Sequence, residues 1–158
     1  QLKKLKKLVI NIKKIAKILD KELSQLKHIQ VPIVSKNNTH CYYLYPINLN
    51  IKKINLTRKF IVNKLKKQGV PCLIEGYVNI HTLPMYKKKI AYGKKNFPWK
   101  FNFNKKKFIN KNEKLINAEF LHNLSFIAIE LCLHDFSEKD AYYIASCFKK
   151  TWKELDIK

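Results

Sequence analysis

The sequence predicts an α+β domain: a small, mostly antiparallel sheet with helices packed on one side and a long helix leading into it. Three observations carry that expectation. The chain has 158 residues, 46% of them hydrophobic and 12% aromatic, enough for one ordinary core. Its first two dozen residues hold apolar side chains at spacings of three and four, the period of one helix face. Beyond them, helical patterns alternate with strand-like stretches too few and too short for a doubly wound sheet.

Residues 1–24 read as one helix. Leu2, Leu5, Leu8, Ile12, Ile15, Leu19 and Leu23 form its stripe, and Lys3, Lys6, Lys13, Lys14 and Lys17 lie mostly off it. No capping residue precedes it, and its length would be about 36 Å. A helix of that length, starting uncapped, looks cut from something larger. Pro32 and the turn-prone Lys36, Asn37, Asn38 and Thr39 make residues 27–39 a connection. Residues 41–49 read as an aromatic, partly alternating strand, with Pro46 placing it at an edge or a bulge. Asn55 or Thr57 is expected to cap a helix over 57–68 that buries Phe60, Ile61 and Leu65 and stops at Gly69. Residues 70–74 are a second short strand.

Residues 75–112 hold two of the five prolines, two of the three glycines and the three-lysine runs at 87–89 and 105–107. That is a long irregular region, and such regions on small scaffolds are functional or disordered. Its eight aromatic residues, Tyr77, Tyr86, Tyr92, Phe97, Trp99, Phe101, Phe103 and Phe108, predict order. A short helix over 113–123 and a strongly apolar strand over 125–133 follow. Ser137, with Glu138 and Asp140 behind it, caps a last helix to about 154 whose inner face carries Ala141, Ile144, Ala145, Phe148 and Trp152.

The formal charge is +22, from 33 basic and 11 acidic residues. Such a charge invites a nucleic-acid reading, but 32 of the 33 are Lys and only Arg58 is Arg. Lys, Asn and Ile together make up 66 of the 158 residues, the set that A/T-rich codons specify. Nucleic-acid readers use the planar fork of Arg, so a nucleic-acid partner is not expected. No apolar run approaches the ~20 residues of a membrane span, and no secretory signal opens the chain; a cytoplasmic protein off the membrane is expected. The chain opens at Gln1 and its one methionine is Met85, which suggests a processed chain or a piece of a longer one. Cys41, Cys72, Cys132 and Cys147 form no CxxC pair and are expected to be buried reduced thiols. No phosphate-binding glycine loop, nucleophile elbow, zinc-protease helix or paired-carboxylate constellation occurs. Of the five histidines, His40 and His81 lie at strand ends, where sites tend to be built.

A set of short stretches, in order, resembles the C-terminal small domain of the DegT/StrS-type sugar aminotransferases. They are Gln1 to Leu5 with Ile15 to Leu19; Thr39, His40, Cys41, Tyr42, Tyr43, Leu44 and Tyr45; Thr57 and Arg58 on to Gly69 and Val70; Tyr77 with His81, Thr82, Leu83, Pro84, Met85 and Tyr86; Ala118 and Glu119; Leu131 to His134 with Phe136 to Asp140; and the helix from Ile144. Tyr43 stands where the family pattern has a second histidine of its strand motif, and Gly76 where it has the histidine of the following loop. The segment Glu75, Gly76, Tyr77 looks closer to the branch acting on keto-cyclitols of the scyllo-inosose type.

The resemblance implies a fold-type I enzyme dependent on pyridoxal phosphate, usually a homodimer. Such an enzyme moves an amino group from glutamate or glutamine to a keto-sugar or keto-cyclitol, in polysaccharide or aminosugar biosynthesis. The lysine that carries the cofactor belongs to the family's large domain, and none of the 32 lysines here stands in that motif's setting. The chain is therefore expected to be inactive by itself, with catalytic, cofactor and metal residues none. His40, Tyr77, His81 and Tyr86 are the substrate-binding candidates, as hydrogen-bonding groups for a polyhydroxylated substrate. Two other readings stay open. One is a Lys-rich ribosomal or other RNA-binding protein, against which the even spread of Lys counts. The other is a non-catalytic interaction module that docks through the stripe of residues 2–23.

Overall fold

The Leu and Ile stripe at the start of the chain folds as α1 (Leu2–Leu23). The computed structural model describes residues 2–93, 97–99 and 114–157. Its contacts divide into two units, residues 1–76 with 124–158, and residues 77–123.

In the first unit the second half of α1 is sunk into the core through Ile15, Ala16, Leu19 and Leu23, while Leu2, Leu5, Leu8 and Ile10 remain exposed. The sheet has four antiparallel strands in the order β1 (Ile29–Gln30), β2 (Tyr45–Leu49), β4 (Phe126–Ile129), β3 (Leu73–Ile74). Tyr45 pairs with Ile129, Ile47 with Ile127 and Leu73 with Ile129. Antiparallel partners share a face, so Tyr45, Ile47, Leu49, Leu73, Ile127 and Ile129 form one buried face. α6 (Glu138–Glu154) runs along α1 and adds Ala141, Ile144, Phe148 and Trp152 to the same core. The fold class is thus the one the periodicities predict. At about 25 cal/mol per Å², each of these large side chains contributes roughly 1.5–3 kcal/mol when fully buried.

The differences are at element ends. The strand expected over 41–49 begins only at Tyr45, because Tyr42 takes a left-handed φ of 50°. Pro46 sits in a strand with neighbours on both sides, but β1 pairs only with Asn48 and Leu49, so Pro46 lies on a local edge as its missing N–H requires. Residues 27–39 contain β1, and residues 51–54 form a helical turn, α2 (Ile51–Ile54), that the sequence pattern did not disclose. Thr57 caps α3 (Arg58–Lys67), accepting from the Phe60 N–H at 3.3 Å, while Asn55 ends α2 at φ 56°. Phe60 is exposed where burial was expected; Val62 fills the inner face with Ile61 and Leu65. Of the cysteines expected to be buried, the structure buries only Cys147, leaves Cys72 and Cys132 half-buried, and exposes Cys41 in the segment before β2.

Gly69 closes α3 at φ 101°, a conformation that favours glycine, and a Cβ there would stand 2.3 Å from the hydroxyl of the exposed Tyr143 side chain, which would have to move aside. The strand expected over 125–133 spans Phe126–Ile129, then turns as a short 3₁₀ segment, Leu131–Leu133. The Ser137 box is formed: Asp140 N–H donates to Ser137 Oγ at 3.3 Å, and Ser137 N–H to Asp140 Oδ2 at 2.8 Å.

The second unit holds a 3₁₀ turn (Ile80–Thr82), α4 (Pro84–Lys87) and α5 (Ile116–Phe120). None of its described residues is buried. The lysine run 105–107, Phe101, Phe103, Phe108 and the expected helix start at 113 lie outside the described residues.

Candidate functional site

His40 stands in the first unit, at the end of the connection leading into β2. The Tyr42 N–H donates to its Nδ1 at 2.8 Å. A backbone N–H can only donate, so Nδ1 is the unprotonated nitrogen and the neutral ring carries its proton on Nε2. The His40 and Tyr42 rings lie 4.3 Å apart, and Tyr42 stacks on Tyr45 at 6.1 Å. The Tyr45 hydroxyl donates to Asp20 Oδ1 of α1 at 2.7 Å. Burial pushes the Asp20 carboxyl above its ordinary value, while the hydrogen bond from Tyr45 pulls it part of the way back down. The Tyr45 hydroxyl is itself driven far up, by burial first and by Asp20 second.

Tyr77, His81 and Tyr86 belong to the second unit. His81 is carried on the 3₁₀ turn, which Thr82 braces by donating from Oγ1 to the Asn79 carbonyl at 2.6 Å. Its Nε2 meets Glu119 Oε1 of α5 at 3.3 Å, with the two side chains 27% and 38% exposed. At that exposure the pair is worth at most about 1 kcal/mol, so its role is orientation. Tyr86 follows one turn later on α4, which Pro84 starts at its first position. Its ring meets Trp99 edge-on at 6.0 Å. Tyr77 is 60% exposed. The local turns bring His81 and Tyr86 into consecutive segments; His40 stands in the other unit.

Arg58, the one arginine, is mostly buried: its side chain is 14% exposed. Its Nε donates to Glu75 Oε2 at 3.2 Å and its Nη1 to the Phe126 carbonyl at 3.3 Å. It ties the start of α3 to the ends of β3 and β4, a structural task. Asp20 and Glu119 were not read from the sequence as site residues. A faint signal existed for each: Asp20 is one of two acids in a Lys-rich helix, and Glu119 follows Ala118 in a stretch already singled out.

Comparison with known proteins agrees with this architecture. Residues 1–108 match the model of the DegT/DnrJ/EryC1/StrS aminotransferase family. The chain belongs to that family. An uncharacterised protein of Methanocaldococcus jannaschii is 32% identical over 98 residues, which is 62% of this chain and 25% of the relative. The spore coat polysaccharide biosynthesis protein SpsC of Bacillus subtilis is 26% identical over 106 residues, 67% of this chain and 27% of that protein. The chain thus spans about a quarter of the length of these two relatives. The crystal structure of the aminotransferase TlmJ from Streptoalloteichus hindustanus superposes with a TM-score of 0.69 at 17% identity, over 99% of this chain and 35% of that one. At that identity the likeness is one of fold.

The family implies pyridoxal phosphate, and the described residues do not fit it. The group needs a lysine for its aldehyde and a cradle for its phosphate. Among the described residues no lysine is buried, and the buried polar side chains are Ser125 and Thr151. Ser125 Oγ and Asn48 Oδ1 are buried without a hydrogen-bond partner. They precede β4 and lie within β2 respectively, with Asn48 opposite Phe126. The small pocket between α1 and the turn after β4, lined by Asn11, Ile12, Ile15, Leu131, His134 and Phe136, contains no lysine.

Proposed function

We propose that this chain forms the substrate side of a pyridoxal-phosphate-dependent aminotransferase that passes an amino group from glutamate or glutamine to a keto-sugar or keto-cyclitol, nucleotide-linked or of the scyllo-inosose type. The product would serve polysaccharide or aminosugar biosynthesis. The observation that carries the reading is the family match over residues 1–108, which spans all four candidates, His40, Tyr77, His81 and Tyr86. The spore coat polysaccharide relative supports the substrate class.

In this reading the cofactor lysine lies in sequence outside these 158 residues, residues 1–26 are the helix between domains, and 27–158 are the small domain. The intact enzyme would be a cytoplasmic homodimer. Among the described residues no helix is long and apolar enough to cross a membrane.

The chemistry supported for the residues in hand is recognition. His40 offers an Nε2–H donor. His81, with Nε2 on Glu119, has Nδ1 left to accept from a hydroxyl when the ring donates to the carboxylate. The hydroxyls of Tyr77 and Tyr86 do either. A polyhydroxylated ketone presents donors and acceptors of both kinds, and a site built for them rejects analogues that lack them.

The test is to purify the natural polypeptide that carries this chain and assay glutamate-dependent amination of keto-sugars and scyllo-inosose, with the absorbance of bound cofactor as a second readout. Bound pyridoxal phosphate and turnover are expected, and His40→Ala or His81→Ala should raise KM for the ketone roughly tenfold, the loss of about one hydrogen bond. A polypeptide that binds no pyridoxal phosphate ends the proposal.

A further inference from the structure

We propose that Asp20 and Tyr45 are positioning residues for His40: the carboxylate on α1 holds the Tyr45 ring, that ring supports Tyr42 in a left-handed conformation, and Tyr42 fixes the imidazole as an Nε2–H donor. The proposal rests on the reading of His40 as a substrate-facing residue.

The chain of contacts is continuous. Tyr42 carries φ 50°, a region that bulky residues avoid and keep only where their surroundings over-determine it. Three things do so here. The Tyr42 side chain is 7% exposed, held in the core. Its ring lies between His40 at 4.3 Å and Tyr45 at 6.1 Å. Its N–H is held by His40 Nδ1 at 2.8 Å.

Tyr45 is fully buried, and its hydroxyl finds Asp20 Oδ1 at 2.7 Å. A buried phenol keeps one orientation when its hydroxyl is partnered. If that bond is removed, the ring on which Tyr42 rests loses its anchor. The left-handed turn at Tyr42 is then free to relax, and His40 Nδ1 loses the donor that selects its tautomer. The consequence for recognition is specific. With Nδ1 engaged inward, His40 presents only a donor, so it pairs with an acceptor oxygen, a carbonyl or a hydroxyl lone pair of a keto-sugar or keto-cyclitol. Asp20 and Tyr45 act on the substrate only through it.

The test is amide hydrogen exchange and ¹⁵N NMR of histidine rings on the natural polypeptide that carries this chain. In the unaltered chain the Tyr42 amide should be protected and the His40 ring should show an unprotonated Nδ1. Tyr45→Phe should speed Tyr42 exchange about tenfold, the equivalent of one hydrogen bond, and mix the His40 tautomers, with the Ile127 amide in β4 unchanged. Asp20→Leu should do the same, and it replaces Tyr45→Phe if that variant does not fold. Asp20→Asn keeps an acceptor oxygen and should behave as the unaltered chain. Tyr142→Phe, an exposed change on α6, should alter nothing.

The proposal is overturned if a folded Tyr45→Phe or Asp20→Leu leaves the Tyr42 amide protected. It is equally overturned if Tyr42 and Ile127 lose protection together, the mark of a general loss of stability. A His40→Ala variant of the natural enzyme with unchanged KM ends the substrate reading, a result separate from the exchange data.

Discussion

Arg58 is the side chain whose replacement tests the fold most directly. The bonds of its guanidinium include two divergent ones, to Glu75 Oε2 at 3.2 Å and to the Phe126 carbonyl at 3.3 Å, from a side chain 14% exposed. A hydrogen bond to a charged group contributes about 1.5–3 kcal/mol. The Glu75 end is 36% exposed, so its share is screened to about 1 kcal/mol or less. The Phe126 end, at the start of the central strand β4, keeps about 1.5 kcal/mol. Arg58→Ala should therefore cost about 1.5–2.5 kcal/mol, a Tm lower by roughly 3–10 °C for a chain of this size. Removing a positive charge from a chain of net charge +22 relieves some self-repulsion and works the other way. Arg58→Lys separates the two effects, because it keeps the charge and loses the fork. It should recover no more than about half of the loss. Urea and thermal unfolding by circular dichroism read both variants. If Arg58→Lys is as stable as the unaltered chain, the two-acceptor argument is wrong and charge alone accounts for the residue.

Four further outcomes are expected. The Asp20 carboxyl is raised in the folded chain, so the native state holds its proton more tightly than the unfolded one. The stability it confers is then full below about 3.8 and falls as pH rises through the raised folded value. Asp20→Asn should accordingly equal or exceed the unaltered chain in urea unfolding at pH 7 and lose that advantage near pH 3.5; a deficit at pH 7 contradicts the burial argument. Glu22 is shifted the other way by its bond from Lys149. Its contribution stands above the ordinary value of 4.5 and fades as pH falls through the lowered one, so Glu22→Gln should flatten the acid limb of a stability profile. Gly69→Ala should cost about 1–3 kcal/mol through its φ of 101° and the clash with Tyr143. Adding Tyr143→Phe should return only the clash, measured by a double-mutant cycle. Ser137→Ala should cost about 1 kcal/mol as a lost N-cap, read by the urea midpoint.

Helices were the legible part. α1, α3 and α6 follow from apolar spacing and from caps at Thr57 and Ser137, because both signals are local in the chain. Strand ends were less legible. The apolar run at 125–133 reads as strand throughout, yet the strand ends at Ile129; one more bond, from the Glu130 N–H to the Cys72 carbonyl at 3.1 Å, follows before the chain turns at Leu131. The aromatic run at 41–44 has strand composition but turns at Tyr42, because His40 and Tyr45 hold it there. α2 was invisible because four residues show no period.

For the site, residue type and motif order singled out His40, His81, Tyr77 and Tyr86, since a histidine at a strand end and a Pro-flanked loop are features of the chain itself. What stands behind them was not readable. Asp20 reaches Tyr45 across 25 positions, and Glu119 reaches His81 across 38. The amino-acid sequence by itself determined the long helices, the caps at Thr57 and Ser137, the α+β class and the family. The tertiary structure alone decided which strands pair, where each ends, which nitrogen of His40 is free, and which acid stands behind each histidine. The reason is range: periodicity and capping act within a few residues, whereas a hydrogen bond between distant segments depends on the whole backbone path that brings them together.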